Sequence, residues 1–332
     1  MYIKKILKYP YKFIHEFFIY YKPFGFNVAI NKVLSMCAEH IPSAYVKEYM
    51  YEKKHISILK YLYIKYNKQI DEISQEVSKM SSIKTSNYLI WQCWWQGEEN
   101  LSGITQMCVN SVKQNSENTP IRFITLENFS NYVKLPSCII KKYQQGYISL
   151  TELSDILRVN LLWKYGGIWI DATILLNDKI MKKIKDYDFF TCPEPSRNKM
   201  FVSNYKWNTS FMGGNANLPL FAFVSKMFEV YWKNEKLLID YYLLDYLIAL
   251  AYNKIPLIKS EIDSVPFNNI MKHELQPFLN LPYNNDIWKN LTQNTCIFKL
   301  SRKTPEPYIK TVGDKLTFYG FLCQKYSMEI NS

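Results

Sequence analysis

One aspartate interrupts an apolar run at a position that suggests chemistry. Asp171 lies in the segment KYGGIWIDATILL, residues 164–176, which otherwise has the composition of a buried strand. A buried carboxylate without a partner is costly, so chains normally avoid it. Either Asp171 has a partner elsewhere in the fold, or the strand ends at this residue and its carboxylate faces a cleft.

Asp155 and Arg158 form a second candidate group, on the segment that precedes the Gly-Gly turn. The apolar spacing of residues 150–167 predicts a helix, and residues three positions apart share one helix face. Both side chains could therefore point at one ligand. The alternative is an ordinary surface ion pair, which contributes little to stability.

Trp94 and Trp95 end the apolar segment YLIWQCWW, residues 88–95, whose pattern predicts a buried strand. Adjacent residues of a strand face opposite sides of the sheet. One of the two indoles can therefore pack in the core while the other stacks on a planar or sugar ligand.

Asp245 is a further candidate, in the segment IDYYLLDY. It lies five residues after Asp240, so the two carboxylates point to different faces of a predicted helix. Asp245, flanked by Leu244 and Tyr246, is the better candidate for a cleft. A solvated surface aspartate is the alternative.

Lys299, Arg302 and Lys303 form a cationic group beside the apolar residues Ile297 and Phe298. Lysine and arginine neutralise phosphate charge directly, so this group could hold a diphosphate. A solvated basic turn is the alternative.

The elements that would position these residues alternate between strands and helices. The hydrophobic pattern predicts strands at 88–95, 121–129 and 168–176, and helices at 103–115 and 150–167. This alternation is typical of an α/β sheet with partly parallel strands. Ligands of such sheets bind beyond the carboxyl ends of the strands, which would put Asp171 at a crevice. Residues 207–219, rich in Gly and Asn, are predicted to be a loop.

Residues 1–84 are predicted to form a helical N-terminal region, followed by a second region at 85–330. Residues 1–80 hold thirteen lysines and seven acidic residues, which supply half of the net charge of +12. One interpretation is a helical subdomain packed on the rest of the chain. The other is a basic amphipathic face that docks on an anionic membrane surface.

The basic composition does not favour a nucleic-acid partner. Nearly all positive residues are lysines, and arginine occurs only at positions 122, 158, 197 and 302. Arginine is the residue whose fork matches guanine in base-specific contacts. We therefore expect no nucleic acid among the partners, and a membrane surface or simple solubility accounts for the lysines.

Several motifs of known chemistry are missing from the sequence. The seven cysteines form no CxxC pair and the four histidines do not cluster, which argues against disulfides and a zinc site. There is no GxGxxG after a strand, no Walker loop, no HExxH and no GxSxG. The start of the sequence lacks a secretory cleavage site and no apolar run has the length of a transmembrane helix, so we expect a cytoplasmic protein.

Taken together, four segments resemble a known family of sugar-transferring enzymes. They are IWQCWWQG, SLTELSDILR, YGGIWIDATI and DYYLLD, and they spread over residues 85–255. The pattern is similar to that of the DxD-class glycosyltransferases of family 32, and most similar to their capsular polysaccharide synthesis branch. The resemblance implies a GT-A fold, in which a Rossmann-like mixed sheet flanked by helices binds a nucleotide-activated sugar.

The resemblance also implies an activity. This is the transfer of a hexose from a nucleotide-sugar donor to an oligosaccharide or lipid-linked acceptor, in the synthesis of capsule or surface polysaccharide. The family is mostly retaining, and the enzyme would be peripheral on the inner face of the cell membrane. Two alternatives stay open: a catalytically inactive module that binds sugar nucleotides, and a basic nucleic-acid-binding protein.

Roles for individual residues follow from the resemblance. Trp94 or Trp95 would lie by the nucleotide base, and Asp155 and Arg158 would hold hydroxyls of the donor sugar. Asp171 would meet the ribose or the metal–diphosphate group. By this account the partner of the Asp171 carboxylate is the ligand.

Gly167, Thr173 and Asp245 complete the set of candidates. Gly167 belongs to the Tyr-Gly-Gly turn and Thr173 ends the acidic motif, so both would contact the donor. Asp245 would act with Asp155, Arg158 and Asp171 in catalysis.

Thr173 marks a departure from the family pattern. The usual motif is Asp-x-Asp, whose second acid commonly touches Mn²⁺ or Mg²⁺, whereas this chain has Asp171-Ala172-Thr173. A hard divalent cation prefers several anionic oxygens, and a hydroxyl is neutral. A divalent cation at Asp171 would thus be bound weakly, would need another carboxylate, or would be replaced by the cationic group at 299–303.

Overall fold

The computed structural model describes residues 2–196 and 198–327, with side chains from residue 11 onward. The end of the predicted second region, residues 328–330, lies outside the described residues. In the part of the chain that is described, no helix is both long enough and apolar enough to cross a membrane.

The N-terminal part of the chain is helical. Its helices are α1 (Tyr2–Ala38), α2 (Ala44–Lys65) and α3 (Asn67–Val77). α1 bends at Gly25, whose φ of +80° suits glycine and would strain other residues. Around the bend, Phe24 and Val28 join Ile58 and Leu62 of α2 in the main hydrophobic core.

The remaining chain contains both strands and helices. The strands are β1 (Ile90–Cys93), β2 (Ile121–Ile124), β3 (Gly167–Ile170), β4 (Ile174–Leu176), β5 (Phe189–Phe190), β6 (Phe211–Gly214), β7 (Ile297–Lys299), β8 (Thr311–Val312) and β9 (Lys315–Leu316). The helices are α4 (Gly103–Gln114), α5 (Phe129–Tyr132), α6 (Ser137–Gln144), α7 (Leu150–Tyr165), α8 (Met181–Ile184), α9 (Pro219–Asn234), α10 (Leu243–Lys254), α11 (Pro256–Ser264), α12 (Asn285–Thr292) and α13 (Phe318–Lys325).

The main sheet is mixed and has the strand order β2-β1-β3-β6-β5. β1 runs parallel to both β2 and β3, whereas β6 is antiparallel to β3 and to β5. Side chains of β1 and β3 alternate between two cores: Trp91 and Trp169 join the core that contains α7 and α9, and Ile90 and Ile168 join the opposite one. The structure thus confirms the predicted α/β class with a mixed sheet flanked by helices.

α7 carries Asp155 and Arg158, and both of its ends are specified by the sequence. Ser149 and Glu152 form a capping box that satisfies backbone N–H groups at the start of the helix. The helix ends at Gly166, whose φ of +66° suits glycine. The apolar side of α7 packs against α9, which fixes the direction in which the opposite side faces.

The segment predicted as one strand at 168–176 is in fact two strands joined by a turn. β3 ends before Asp171, and the Ile174 N–H donates to the Asp171 carbonyl at 2.9 Å to close the turn. β4 leaves the main sheet and pairs with β7, where Ile174 lies opposite Lys299. This pairing brings a distant part of the sequence beside the Asp-Ala-Thr turn.

β6 lies within the segment 207–219, where a loop was predicted, so that prediction was wrong. Gly213 and Gly214 suggested a loop because glycine is uncommon in strands. Here they allow close approach of backbones: a Cβ on Gly213 would lie 2.2 Å from the Gly167 carbonyl oxygen. Glycine at positions 213 and 214 lets β6 pair closely with β3 and β5, because a Cβ at either position would meet the neighbouring backbone.

Asp240, in the segment between α9 and α10, ties the N-terminal helices to the rest of the chain. Lys32 of α1 and Lys54 of α2 reach its carboxylate at 2.9 and 3.3 Å, and all three side chains are buried. Burial tends to raise the pKa of Asp240, but the two ammonium groups outweigh it and hold the pKa below its usual value. The carboxylate therefore stays charged at neutral pH.

Asp240→Asn should destabilise the protein by about 3 kcal/mol, because it leaves two lysines buried without a counter-charge. A matched control is Glu229→Gln, which removes an exposed ion pair with Lys233 and should cost about 0–1 kcal/mol. Urea unfolding at pH 7 measures both. The folded-state pKa of Asp240 is lowered, so the stability that its ionised carboxylate contributes is lost as pH falls through that pKa. The difference in unfolding free energy between Asp240→Asn and wild type should therefore become smaller in acid. Equal losses of stability in Asp240→Asn and Glu229→Gln would contradict the role of Asp240 as the counter-charge of the two buried lysines.

Candidate functional site

A cavity of about 600 Å³ opens beyond the carboxyl ends of β1 and β3, a volume typical of small-molecule sites. It gathers most of the residues predicted from the sequence. Those in its lining are Trp94, Trp95, Asp155, Arg158, Asp171, Thr173, Asp245, Lys299 and Arg302.

Asp171 holds the central position, and its carboxylate is already hydrogen-bonded within the chain. Oδ1 accepts from the Trp169 indole N–H at 2.7 Å and from Arg158 at 3.1 Å. Oδ2 accepts from the Lys299 ammonium at 2.7 Å. The inference that the ligand is the partner of this carboxylate is therefore corrected: Asp171 both faces the cavity and has partners in the fold.

The charge of Asp171 is secured by those partners. Burial tends to raise the pKa of its carboxyl, but Lys299 and Arg158 outweigh the burial and hold the pKa below the usual value. The side chain keeps 24% of its surface exposed, on the cavity side. The site thus contains a fixed carboxylate that is neutralised by two cations.

Arg158 acts as the link between the carboxylates rather than as a free cation. Its side chain is only 6% exposed, and its guanidinium lies 3.1 Å from Asp171 and 3.3 Å from Asp155 and donates to the Thr209 carbonyl. It stacks 4.8 Å from the centre of the Trp169 ring. Because its guanidinium is paired with protein groups, Arg158 orients the two aspartates and has little capacity left to bind a ligand.

Asp155 and Asp245 are in the opposite electrostatic situation to Asp171. Burial raises the pKa of Asp155 to about 7, against the attraction of Arg158, and the nearby Asp245 and Asp171 add to the rise. Burial likewise raises the pKa of Asp245 to about 6, although its Oδ1 accepts from the Trp207 indole N–H at 2.9 Å. Both carboxyls can therefore change protonation near neutral pH, which suits groups that bind or exchange protons with a ligand.

The two tryptophans lie just beyond the end of β1, outside the strand that was predicted to extend to residue 95, and they differ in burial. Trp95 is buried, and its indole N–H donates to the Leu150 carbonyl and to Ser154. Trp94 is half-buried, and the Arg302 guanidinium lies 5.1 Å from the centre of its ring. Of the pair, Trp94 is the one able to stack on a planar ligand.

Gly167 and Lys303 do not line the cavity. Gly167 is buried in β3, where a Cβ would lie 2.3 Å from the Leu89 carbonyl oxygen, so glycine is needed there for strand packing. Lys303 is exposed on the turn after β7, and its N–H donates to the Ser301 hydroxyl. Only Lys299 and Arg302 of the predicted cationic group reach the cavity.

Several lining residues were missed by the sequence reasoning, namely Trp169, Glu194, Trp207, Tyr241, Tyr242 and His273. Trp169 was recoverable, because residues two apart on a strand share a face and Trp169 precedes Asp171 by two. The others lie on turns and loops with no local pattern that points to a site. Only the packing of these segments brings them to the cavity.

The residues around Asp171 do not fit a Mn²⁺ or Mg²⁺ site. Both carboxylate oxygens accept from cations or N–H groups, and the Thr173 hydroxyl accepts from Lys299 at 2.8 Å. Across residues 2–196 and 198–327 no group of three or more His, Cys, Asp or Glu side chains is arranged to hold a metal ion. A hard cation needs several anionic oxygens, and here an ammonium already bridges the two oxygen-bearing side chains of the motif.

Comparison with known proteins identifies the family. Residues 39–321 match the capsular polysaccharide synthesis protein family, and the chain belongs to it. This agrees with the branch to which the sequence motifs pointed, whereas membership of glycosyltransferase family 32 stays a prediction.

A curated relative is the O-glycosyltransferase braB of Annulohypoxylon truncatum, 30% identical over 115 residues. That match covers 31% of this chain and 27% of the relative, so the chain spans about a quarter of the relative's length. Among solved structures, the PaToxG glycosyltransferase matches with a TM-score of 0.36 and 16% identity, over 65% of this chain and 83% of that one.

Asp155→Asn should change the pH dependence of stability. A carboxyl whose pKa is raised in the folded state stabilises most below its unfolded pKa and loses that contribution as pH rises through about 7. Asparagine cannot ionise, so the stability of the variant relative to wild type should increase by about 2–3 kcal/mol between pH 5 and pH 8. Denaturant unfolding at both pH values measures this, with Asp314→Asn on the exposed β8–β9 turn as control. Parallel curves for Asp155→Asn and wild type would show that this carboxyl is ionised throughout.

Proposed function

We propose that this protein is a glycosyltransferase that moves a hexose from a nucleotide-sugar donor to a saccharide acceptor in capsule or surface polysaccharide synthesis. The observation that carries the proposal is a single cavity with cations, ionisable carboxyls and an accessible indole. Lys299 and Arg302 suit a diphosphate, Asp155 and Asp245 suit sugar hydroxyls, and Trp94 suits a base. Membership of the capsular polysaccharide synthesis family and a relative named as an O-glycosyltransferase support the same class.

In the proposed reaction the bond between the anomeric carbon and the diphosphate oxygen breaks, and its electron pair leaves with the nucleoside diphosphate. An acceptor hydroxyl oxygen forms the new bond to the anomeric carbon, and its proton passes to the departing diphosphate or to water. The site would accelerate this step by stabilising the negative charge that develops on the diphosphate. We propose retention of the anomeric configuration and a GT-A type of fold, following the motif resemblance.

Separate roles suit the three aspartates. Asp171, kept ionised by its cationic partners, would hold the cationic side of the site in place. Asp155 and Asp245, with pKa values near 7 and 6, would bind donor or acceptor hydroxyls, because a carboxyl can either accept or donate a hydrogen bond according to its protonation. Arg158 would act as a positioning residue for Asp155 and Asp171.

We further propose a lipid-linked acceptor and a peripheral location on the inner, anionic face of the cell membrane. The outer side of α1 supports this with an exposed apolar stripe of 3-4-3 spacing. Its members, between 46% and 73% exposed, are Tyr11, Ile14, Phe18 and Tyr21. The exposed Lys12 and Lys22 flank the stripe, as in amphipathic helices that lie on membranes. Lys32 and Lys54 do not contribute to this basic face, because both are buried on Asp240.

The direct test is a screen of nucleotide sugars scored by release of nucleoside diphosphate, with and without saccharide acceptors. We expect one donor to give acceptor-dependent release. Tight binding of a sugar nucleotide without turnover would favour the inactive binding module. A lack of binding and turnover with all donors would contradict the proposed class.

Asp171→Asn and Asp155→Asn should each lower the transfer rate about a hundredfold while the protein stays folded. Asp171→Asn weakens the charged hydrogen bond to Lys299 and Asp155→Asn removes the ion pair with Arg158, and loss of such a charged contact costs roughly 2–3 kcal/mol. Asp178→Asn, on an exposed loop, is the control and should keep full activity. Steady-state rates and thermal unfolding distinguish a role in transfer from a role in stability. Normal turnover of Asp171→Asn with only a lower melting temperature would show that Asp171 has a structural role.

The double substitution Ile14→Ser and Phe18→Ser should weaken binding to anionic vesicles at least tenfold, because it interrupts the exposed stripe on α1. Flotation with phosphatidylglycerol-containing and with neutral vesicles measures this. Phe267→Ser, which removes an equally exposed aromatic ring elsewhere, should bind like wild type. Equal and negligible flotation of wild type with both vesicle types would leave α1 only as a packed helix.

A further inference from the structure

Lys299 occupies the position in the cavity where a cation would bridge the first and third residues of the acidic motif. Its Nζ lies 2.7 Å from Asp171 Oδ2 and 2.8 Å from Thr173 Oγ1. The β4–β7 pairing, with Ile174 opposite Lys299, fixes this arrangement in the backbone. The bridge is therefore built by strand register and does not depend on a chance contact of a surface side chain.

The chemistry of Thr173 matches an ammonium group better than a metal ion. An ammonium carries one charge and three N–H donors, so one carboxylate and one hydroxyl satisfy two of them. Thr173 adds a neutral acceptor beside the Asp171 carboxylate, so the ammonium has two acceptors in the motif and only one of them is charged. The departure from Asp-x-Asp therefore suits a lysine in this position.

Part of the Lys299 ammonium remains available to a ligand. The side chain is 29% exposed and lines the cavity, and its third N–H can donate to another acceptor. Arg302 lies on the same wall, stacked on Trp94, and forms no ion pair with a carboxylate among the described residues. Two cations therefore face the space between the acidic motif and the indole.

We propose that Lys299, assisted by Arg302, takes the place of a divalent cation and binds the diphosphate of the nucleotide sugar, so that transfer needs no metal. This rests on the proposed glycosyltransferase function and specifies its leaving-group site. As the anomeric carbon–oxygen bond breaks, its electron pair goes to the diphosphate oxygen, and the two cations stabilise that charge. Asp171 positions the Lys299 side chain through its hydrogen bond to Nζ.

The proposal is tested first by nucleotide binding, which does not require turnover. UDP, GDP and ADP are titrated separately by calorimetry in excess EDTA and in Mn²⁺. Wild type should bind one of them equally in both conditions. Lys299→Met should weaken that binding about 30-fold, Lys299→Arg should restore part of it, and Lys289→Met, exposed on α12, should leave it unchanged.

A second variant converts the site to metal dependence. Thr173→Asp combined with Lys299→Met supplies two carboxylates and removes the ammonium, so nucleotide binding should be weak in EDTA and recover at least tenfold in Mn²⁺. Lys299→Met alone should show a smaller response to Mn²⁺, because it has only one carboxylate. Circular dichroism of each variant checks that the fold is kept.

The outcomes separate this proposal from the proposed function. Wild-type binding and transfer that vanish in EDTA and return with Mn²⁺ would overturn the role of Lys299 while leaving the glycosyltransferase assignment intact. Metal-independent binding that is lost in Lys299→Met, without turnover of any donor, would support the diphosphate site and contradict the enzyme. Unchanged binding in Lys299→Met would overturn the proposal in either case.

Discussion

The carboxylate of Asp171 is the point on which the cavity depends. It comes from the end of β3, and its partners come from three different places: Trp169 in the same strand, Arg158 in α7 and Lys299 in β7. A carboxylate that is largely shielded from water is tolerated only when such partners compensate for lost hydration. The same contacts that make Asp171 tolerable therefore fix the relative positions of a sheet strand, a helix and a distant strand pair.

The carboxyl groups that line the cavity have different pKa values because their surroundings differ. Asp171 has two cations within hydrogen-bonding distance, and its pKa is held low, whereas the pKa values of Asp155 and Asp245 rise because burial dominates. Lys299 accounts for most of the difference, since its ammonium contacts Asp171 whereas Asp155 has only Arg158 as a cationic partner in the described part of the chain. Carboxyls of unlike pKa in one cavity give a site both a permanent charge and groups that exchange protons near neutral pH.

A second buried cluster performs a structural role with similar chemistry. Asp240 is fully paired with Lys32 and Lys54, away from the cavity lining, and it joins α1 and α2 to the segment before α10. The exposed side of α1 then remains free to present its apolar stripe. Two aspartates only five residues apart thus have different roles. Asp245 lines the cavity, whereas Asp240 holds α1 and α2, and with them the proposed membrane face, against the rest of the protein.

The sequence by itself determined the α/β class and the helix carrying Asp155 and Arg158, because both follow from short-range periodicity and capping, which act over a few residues. The sequence placed Asp171, Trp94 and Trp95 inside predicted strands, whereas β3 ends before Asp171 and β1 ends before Trp94. It could not determine that β4 pairs with β7, that Lys299 bridges Asp171 and Thr173, or that 207–219 contains a strand. Those features depend on contacts between segments more than a hundred residues apart or on backbone approach at glycines, and only the tertiary structure decides which distant segments meet.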